Sequence, residues 1–199
     1  MSDPVLHLIA GPNGSGKSTL FGHVVGPVTW LPFVNADVIA EDRWPGDAVA
    51  HAYEAAAIAA QERERLIATR TSFVTETVFS HPSKVTLVET AQQAGYLVTL
   101  HVVMVPEELA VARVGVRVRL GGHDVPEDKI RSRYERLWDH VSRAIELADE
   151  SRVYDNARGD HPFRSVAQFR SGTLVGTADW PPWTPAALRA AGRPPPTSN

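Results

Sequence analysis

A phosphate-binding loop near the start of the chain constrains the fold more than any other sequence feature. It has the pattern GxxxxGKS, follows the apolar run Val5–Ala10 and leads directly into a predicted helix. In this strand–loop–helix context, backbone N–H groups turn toward bound phosphate and the helix dipole favours its negative charge. We therefore expect a nucleoside triphosphate site. The predicted nucleotide-binding residues are Gly11, Pro12, Asn13, Gly14, Ser15, Gly16, Lys17, Ser18 and Thr19.

Two side chains of this loop have predicted chemical roles. Lys17 supplies a cation for the β- and γ-phosphates, and Ser18 supplies a hydroxyl ligand for Mg²⁺. The alternative is an ordinary glycine-rich turn. That alternative does not explain why all the positions of the motif are met at once, so we favour phosphate binding with Mg²⁺ as a cofactor.

Length and composition indicate one globular domain. The chain has 199 residues, of which 43% are hydrophobic and 22% charged, and its formal net charge is −3. The absence of a basic run argues against nucleic acid as a partner, and the absence of a long apolar run argues against a membrane. No signal peptide is recognisable and there are no cysteines, so we expect a cytoplasmic protein.

Strand and helix patterns alternate along the chain. This alternation predicts an α/β fold of three layers, in which a parallel core sheet is covered by helices on both faces. Ligands of such folds bind at the carboxyl ends of the strands. The predicted strands after the first are Trp30–Ala36, Ser72–Glu76, Leu97–Val105 and Arg152–Tyr154, and the clearest helices are Asp47–Arg70 and Ser83–Ala94.

The C-terminal part differs in composition. Phe163–Phe169 and Thr173–Val175 flank a short Arg-Ser-Gly turn and predict a β-hairpin. From Ala178 onward the sequence is rich in proline, which predicts a flexible tail. We therefore expect a kinase-like domain over residues 1–177 and a flexible tail over residues 178–199.

Two acidic residues follow predicted strands and should approach the phosphate loop. Asp37 is the candidate general base, because phosphoryl transfer to a hydroxyl requires an acceptor for the hydroxyl proton. The alternative role of Asp37 is that of a helix N-cap. Glu76 is a candidate for binding substrate hydroxyls or the water ligands of Mg²⁺, and its alternative is an exposed charge at the end of a strand.

The best apolar strand lacks the acidic residue that hydrolytic P-loop motors use to hold Mg²⁺. Leu97–Val105 is followed by Pro106 instead. This difference weakens a motor or switch interpretation and favours a small-molecule kinase.

The segment after Pro106 predicts a lid that carries arginines. Glu107 and Glu108 begin a helix that ends before Gly121-Gly122, and its Arg113 and Arg117 lie four residues apart on one side. Two like charges at this spacing destabilise an isolated helix, whereas a bound triphosphate would neutralise both. The alternative is a solvated basic face.

A second helix opens at Pro126 and completes the predicted lid. At most two of its arginines can reach the phosphates, because they point in different directions. His123, in the glycine-containing loop, is a candidate contact to phosphate or substrate, and its alternative is a local hydrogen bond. The remaining candidate arginines of the lid are Arg119, Arg131, Arg133 and Arg136.

Taken together, these motifs resemble the zeta-toxin family of P-loop kinases. The resemblance covers Val5 to about Gly176. It rests on the phosphate loop and on the segments Asn35–Asp37, Ser72–Thr77, Arg113–Pro126 and Tyr154–Asn156.

This resemblance implies an ATP-dependent kinase that phosphorylates the sugar 3′-hydroxyl of UDP-N-acetylglucosamine and that has a small antitoxin protein as its partner. It implies that Asp37 takes the hydroxyl proton and that Arg113 stabilises the transferred phosphate. It further implies that Glu76 and Thr77 contact the nucleotide-sugar and that Asn156 lies near adenine.

The acceptor motif departs from the family pattern. Plasmid-type toxins have Glu-Gly-Thr where this chain has Glu76-Thr77-Val78. Two other interpretations therefore stay open. The chain could phosphorylate another hydroxylated metabolite or antibiotic, as chloramphenicol phosphotransferases do, or it could be an ATP-binding switch without transfer activity.

Overall fold

A seven-stranded sheet forms the centre of the computed structural model, which describes residues 3–120 and 125–192. The strand order is β2-β3-β1-β4-β5-β6-β7. The first five strands in this order are parallel, whereas β6 and β7 are antiparallel. The strands are β1 Val5–Ala10, β2 Phe33–Val34, β3 Phe73–Thr77, β4 Leu97–Met104, β5 Glu150–Asp155, β6 Arg164–Arg170 and β7 Thr173–Leu174.

Helices connect the parallel strands. The longest, α7, buries a stripe that includes Ile130, Tyr134, Leu137 and Val141, a spacing that places these residues on one side of the helix. The helices are α1 Lys17–Leu20, α2 Gly26–Thr29, α3 Ala36–Arg43, α4 Ala52–Ala68, α5 Ser83–Gln93, α6 Glu107–Arg119, α7 Glu127–Leu147 and α8 Ala186–Ala190, with a π-helical turn at Phe21–Val25 between the first two.

The core lies on both faces of the sheet. Leu6 and Leu8 of β1 point into the larger cluster, which includes buried residues of α4, α5 and α7. Ile9 points to the opposite face, where it belongs to a smaller cluster with Leu20 and Val103. The alternation of side chains along a strand explains why one strand contributes to both clusters. The predicted α/β fold of three layers, with helices on both faces of a mostly parallel sheet, is thereby confirmed.

Two predicted elements differ from the observed ones near the second strand. The strand expected over Trp30–Ala36 contains only Phe33–Val34, because Trp30 adopts a left-handed conformation (φ 55°) that ends α2. Asn35 then caps α3, which ends the strand on its other side. Helix α4 begins at Ala52, five residues after the predicted start.

The C-terminal hairpin is observed between β6 and β7, as predicted. The expectation of a flexible tail from Ala178 does not hold for residues 178–192. Leu188 is fully buried in the larger cluster, and Trp180 and Trp183 pack against it. Arg189 holds the turn by donating hydrogen bonds of 3.2 Å to the carbonyls of Pro181 and Thr184. Residues 193–199 lie outside the described part of the chain.

In the described part of the chain, none of the helices combines the length and the apolar character that crossing a bilayer requires.

Candidate active site

The phosphate loop joins the carboxyl end of β1 to α1, and close contacts require glycine at two of its positions. A Cβ at Gly14 (φ 72°) would lie 2.6 Å from the carbonyl oxygen of Ala110 in α6. A Cβ at Gly16 (φ 94°) would lie 2.6 Å from Asn156 Nδ2. Both glycines also have positive φ angles, which side chains disfavour. The loop is therefore packed between the lid helix α6 and the end of β5.

Asn156 fastens the loop to the sheet. Its Nδ2 donates a hydrogen bond of 2.8 Å to the carbonyl oxygen of Ser15, and its backbone N–H bonds to Met104 O at 3.0 Å. Asn156 is buried and borders the cavity described next. The predicted contact of Asn156 with adenine stays a prediction.

A cavity of about 700 Å³ opens at the carboxyl ends of the parallel strands. Its volume suits a small-molecule site, and its position is the one where folds of this class bind ligands. Most of the predicted site residues line it: Asn13, Gly14, Gly16, Lys17, Ser18, Thr19, Asp37, Glu76, Thr77, Arg113, Arg117, Arg133 and Asn156.

Lys17 lies at the bottom of the cavity. It is buried, with 9% of its surface exposed, and its Nζ donates a hydrogen bond of 3.0 Å to Pro12 O. Burial lowers the pKa of Lys17, whereas the charges of Glu76 and Asp37 raise it. The loop thus holds the ammonium group ready for phosphate oxygens.

Glu76 lies beside the loop at the end of β3. Its Oε1 accepts a hydrogen bond of 3.0 Å from Ser18 Oγ, and its Oε2 is buried without a hydrogen-bonding partner. Burial raises the pKa of Glu76, and the charge of Lys17 and the Ser18 hydrogen bond oppose this shift. The alternative of an exposed strand-terminal charge is therefore wrong.

Asp37 faces the same cavity from the first turn of α3. The cap of this helix is Asn35, whose Oδ1 accepts hydrogen bonds from Asp37 N at 2.7 Å and Val38 N at 3.4 Å. The alternative that Asp37 is the N-cap is therefore wrong. The Asp37 side chain is exposed to the cavity, and its charge raises the pKa of both Lys17 and Glu76.

The oxygen atoms in this part of the cavity fit Mg²⁺. Mg²⁺ takes oxygen ligands and keeps several waters, so a site needs few protein groups. Ser18 Oγ, the unpartnered Oε2 of Glu76 and the Asp37 carboxylate are available there. Over residues 3–120 and 125–192, no three His, Cys, Asp or Glu side chains are grouped to hold a metal by themselves.

Three arginines of the lid helices reach the cavity. Arg113 and Arg117 come from α6 and Arg133 from α7. The charges of Arg117 and Arg133 lower the pKa of Lys17, which indicates that both arginines act electrostatically on its ammonium group. Arg113 lies against the loop, because its Cβ is 3.3 Å from where a Cβ at Gly14 would stand.

The other lid arginines are engaged elsewhere. Arg131 forms ion pairs with Glu107, Glu108 and Glu127 at 3.2, 2.6 and 2.8 Å, so it joins α6 to α7 instead of contacting phosphate. Arg136 donates a hydrogen bond of 3.0 Å to Ser132 O of its own helix.

Neither Arg131 nor Arg136 borders the main cavity, and the same is true of Arg119. His123 lies outside the described residues, so its predicted contact stays a prediction.

Sequence patterns missed two basic residues of the cavity. Arg63 of α4 and Lys84 of α5 also line it. Arg63 lies within a run of charged residues of α4, and Lys84 is the one cation of α5, so neither stands out in the sequence. Only the packing of these helices brings the two together.

The sequence matches the model of the AAA domain family over residues 6–137. The chain belongs to the AAA domain family. Among curated proteins, none matches it significantly.

Solved structures share the fold at low sequence identity. The AvrRxo1-ORF1:-ORF2 complex with ATP aligns with a TM-score of 0.69 at 17% identity, over 87% of this chain and 60% of that one. The PezAT toxin–antitoxin system of Streptococcus pneumoniae aligns with a TM-score of 0.61 at 14% identity, over 83% and 72%. A gluconokinase from Sinorhizobium meliloti 1021 aligns with a TM-score of 0.52 at 22% identity, over 79% and 86%.

The chain thus spans about 60% of the length of the AvrRxo1 structure. The predicted likeness to zeta toxins is confirmed at the level of the fold.

Proposed function

We propose that this domain is an ATP-dependent kinase that transfers the γ-phosphate to a hydroxyl group of a small molecule. The observation that carries the proposal is the convergence of Lys17, Asp37 and Glu76 in one cavity with three lid arginines. The family match and the ATP complex of the AvrRxo1 fold support ATP as the nucleotide.

The transfer step follows from the side chains of the cavity. The Asp37 carboxylate accepts the proton of the acceptor hydroxyl, and that oxygen forms a bond to the γ-phosphorus. The bond between the γ-phosphorus and the bridging oxygen breaks, and its electron pair leaves with ADP. Lys17, Arg113 and Arg117 stabilise the charge on the transferred phosphoryl group.

Ser18, Glu76 and Asp37 would hold Mg²⁺ and its water ligands. When bound, the ion neutralises phosphate charge.

The acceptor in this proposal is a UDP-amino-sugar such as UDP-N-acetylglucosamine. Glu76 and Thr77 line the cavity at the carboxyl end of β3 and would contact its hydroxyls, while Arg133 would contact its phosphates or those of ATP. His123 is the further proposed contact to phosphate or substrate. Another hydroxylated metabolite or antibiotic is the alternative acceptor, because Thr77-Val78 replaces the Gly-Thr of the plasmid-type toxins.

A switch without transfer activity is disfavoured. Strand β4 ends at Met104 and is followed by a buried Val105 and then Pro106, so no acidic residue there can hold Mg²⁺ and a hydrolytic water.

A small antitoxin protein is the proposed macromolecular partner. Two structures with this fold support it: PezAT is a toxin–antitoxin system, and AvrRxo1-ORF1 is in complex with AvrRxo1-ORF2. Growth arrest on expression, relieved by the product of a neighbouring small gene, would support this partner.

The activity is tested by incubating the purified protein with ATP, Mg²⁺ and a panel of nucleotide-sugars. We expect a phosphate-sized mass gain on a UDP-amino-sugar. Lys17→Ala is the control, because it removes the cation that contacts the β- and γ-phosphates and should weaken ATP binding and abolish transfer. ATP consumption that is equal in both proteins, or an unmodified panel, would contradict the proposal.

A further inference from the structure

Two basic residues of the cavity come from α4 and α5, outside the phosphate loop and the helices α6 and α7. One side of α4 lines the cavity with Ala52, Ala56, Ala59 and Arg63, a spacing that puts all four residues on the same face. The small side chains of the three alanines leave space for a ligand. The half-buried guanidinium of Arg63 follows them on the same face of the helix.

Lys84 faces the same space from the first turn of α5. A cation at this end of a helix opposes the helix dipole, which favours negative charge there. Burial lowers the pKa of Lys84, and the nearby charge of Arg63 lowers it further. Burial likewise lowers the pKa of Arg63, opposed by its neighbour Glu64. The two cations thus repel each other in a partly desolvated place.

Neither cation of this pair has a close partner in the described part of the chain, and Glu64 acts on Arg63 only through its charge. Within residues 3–120 and 125–192, neither the guanidinium of Arg63 nor the ammonium of Lys84 makes a hydrogen bond or an ion pair. Two unpaired cations in a cavity carry a cost that a bound anion would remove.

The pair comes from α4 and α5, whereas the phosphate loop joins β1 to α1. The strongest charges that act on Lys17 are those of Glu76, Asp37, Arg117 and Arg133. The carboxylates of Asp37 and Glu76 belong to the loop side of the cavity, where the hydroxyl must react. The phosphates of ATP would occupy the loop around Lys17, so an anion held by Arg63 and Lys84 is assigned to the acceptor.

We infer that Arg63 and Lys84 form an anion subsite that binds a phosphate group of the acceptor. The term acceptor rests on the proposed kinase function. Binding of a phosphate group at Arg63 and Lys84 can be measured without that function. A phosphate monoester or a diphosphate carries about two negative charges and matches the two cations, whereas a single carboxylate leaves one cation unneutralised. Arginine and lysine also supply the charge-assisted donors that phosphate oxygens accept.

The direct test measures binding without turnover. The protein is saturated with Mg²⁺ and a non-hydrolysable ATP analogue, so that the phosphate loop is filled. It is then titrated calorimetrically with UDP-N-acetylglucosamine, with N-acetylglucosamine 1-phosphate, with glucuronate and with uncharged N-acetylglucosamine. The first two probes distinguish a nucleotide diphosphate from a sugar phosphate as the source of the anion.

We expect at least one phosphate-bearing probe to bind more tightly than the other two probes. Arg63→Gln and Lys84→Gln should each weaken its binding by about tenfold or more and leave the ATP analogue unaffected. Arg65→Gln is the matched control, because Arg65 lies on the same helix but is exposed and paired with Glu62. This control should bind every probe as the wild type does.

The outcomes separate the subsite from the kinase proposal. Phosphate-dependent binding that both variants lose, in a protein that transfers no phosphate, would uphold the subsite and overturn the kinase. Equal binding of charged and uncharged probes, unchanged affinity in both variants, or no binding of any phosphate-bearing probe would overturn the subsite. Tighter binding of glucuronate would overturn the phosphate assignment.

Thermal unfolding without ligand is a second readout. Relief of repulsion should leave the midpoint of Lys84→Gln equal to or above that of the wild type. A fall of several degrees in this midpoint would show that the lysine stabilises the fold and would overturn the subsite.

Discussion

Burial and charge act in opposite directions on the two ionisable groups at the base of the cavity. Burial lowers the pKa of Lys17 and raises that of Glu76, while each charge favours the ionised form of the other. Filling the loop with a triphosphate adds negative charge beside both groups, which strengthens the ammonium form of Lys17. Lys17 therefore suits a bound triphosphate, and Glu76 suits the Mg²⁺ that would accompany it.

A further buried titratable group, His101, lies in the sheet outside the cavity. His101 Nε2 is 3.1 Å from His7 Nδ1, and its Nδ1 is 3.5 Å from the Tyr154 hydroxyl. Burial, together with the charges of His7 and Arg152, lowers the pKa of His101 to about 3. The folded protein therefore keeps this imidazole neutral at pH values at which the unfolded chain protonates it.

This difference predicts a pH-dependent stability. The unfolded chain binds a proton below about pH 6.5, so the contribution of His101 is complete above that pH and is lost as the pH falls toward 3. As the pH falls from 6 to 4, this group should lower the free energy of unfolding by ~1.4 kcal/mol per pH unit. Urea unfolding at several pH values measures the slope.

His101→Gln should remove this part of the slope. The exposed His23 gives the matched control, and His23→Gln should keep the wild-type slope. Identical slopes in wild type and His101→Gln would show that the buried histidine does not carry the effect.

At the scale of elements, the helices α6 and α7 act as one unit. Arg131 ties the first turns of both helices together through Glu107, Glu108 and Glu127. The first two of these glutamates also suit the positive end of the α6 dipole. This junction sets the position from which Arg113 and Arg117 reach the cavity.

The lid arginines give a prediction with an internal control. Arg113→Ala and Arg117→Ala should each lower the rate of phosphoryl transfer by ~10³-fold, because arginines that meet the transferred phosphate contribute that much. Arg119→Ala changes the same helix outside the cavity and should keep the wild-type rate. The rate is followed as phosphate-sized mass gain on the acceptor. Equal rates in the three variants would assign all three arginines to a solvated surface.

Sequence patterns predicted the elements that carry strong local signals. The phosphate loop, the apolar β4 and the helix of Glu107–Arg119 agree closely with the structure. Strand β2 is shorter than predicted, because the capping side chain of Asn35 and the left-handed backbone of Trp30 decide its ends locally. The pattern of Trp30–Ala36, which is apolar apart from Asn35, does not reveal where these interruptions fall.

At the scale of the whole molecule, the C-terminal segment closes the larger core. The proline content of this segment predicted flexibility. Proline also restricts φ, however, which favours one conformation when the neighbouring apolar side chains pack against the core. Leu188 is fully buried there, beside residues of α7. Such a contact between distant parts of the chain has no periodic signal in the sequence. The placement of Arg63 and Lys84 in one cavity was not predicted for the same reason.

Packing of this segment predicts a stability effect. Leu188→Ala should destabilise the protein by about 2–5 kcal/mol, the usual cost of removing a buried leucine side chain. Val175→Ala, at a position 52% exposed, should change the free energy of unfolding by less than about 0.5 kcal/mol. Urea unfolding compares the two. A Leu188→Ala protein as stable as the wild type would indicate that the segment does not pack.

The central claim is that Asp37 accepts the proton of the hydroxyl that attacks ATP. Asp37→Asn tests it most directly, because asparagine keeps the shape of the side chain but cannot act as the base. Asn35, not Asp37, caps α3, so the substitution should leave the fold intact apart from a helix-dipole contribution of about 0.3–1 kcal/mol.

The measurement is single-turnover phosphoryl transfer from ATP to the acceptor, with ATP affinity and thermal stability determined on the same preparation. The account predicts that transfer by Asp37→Asn falls by ~10²-fold or more while ATP affinity stays close to that of the wild type. Retained transfer at unchanged stability would contradict it, and Glu76 would become the candidate base.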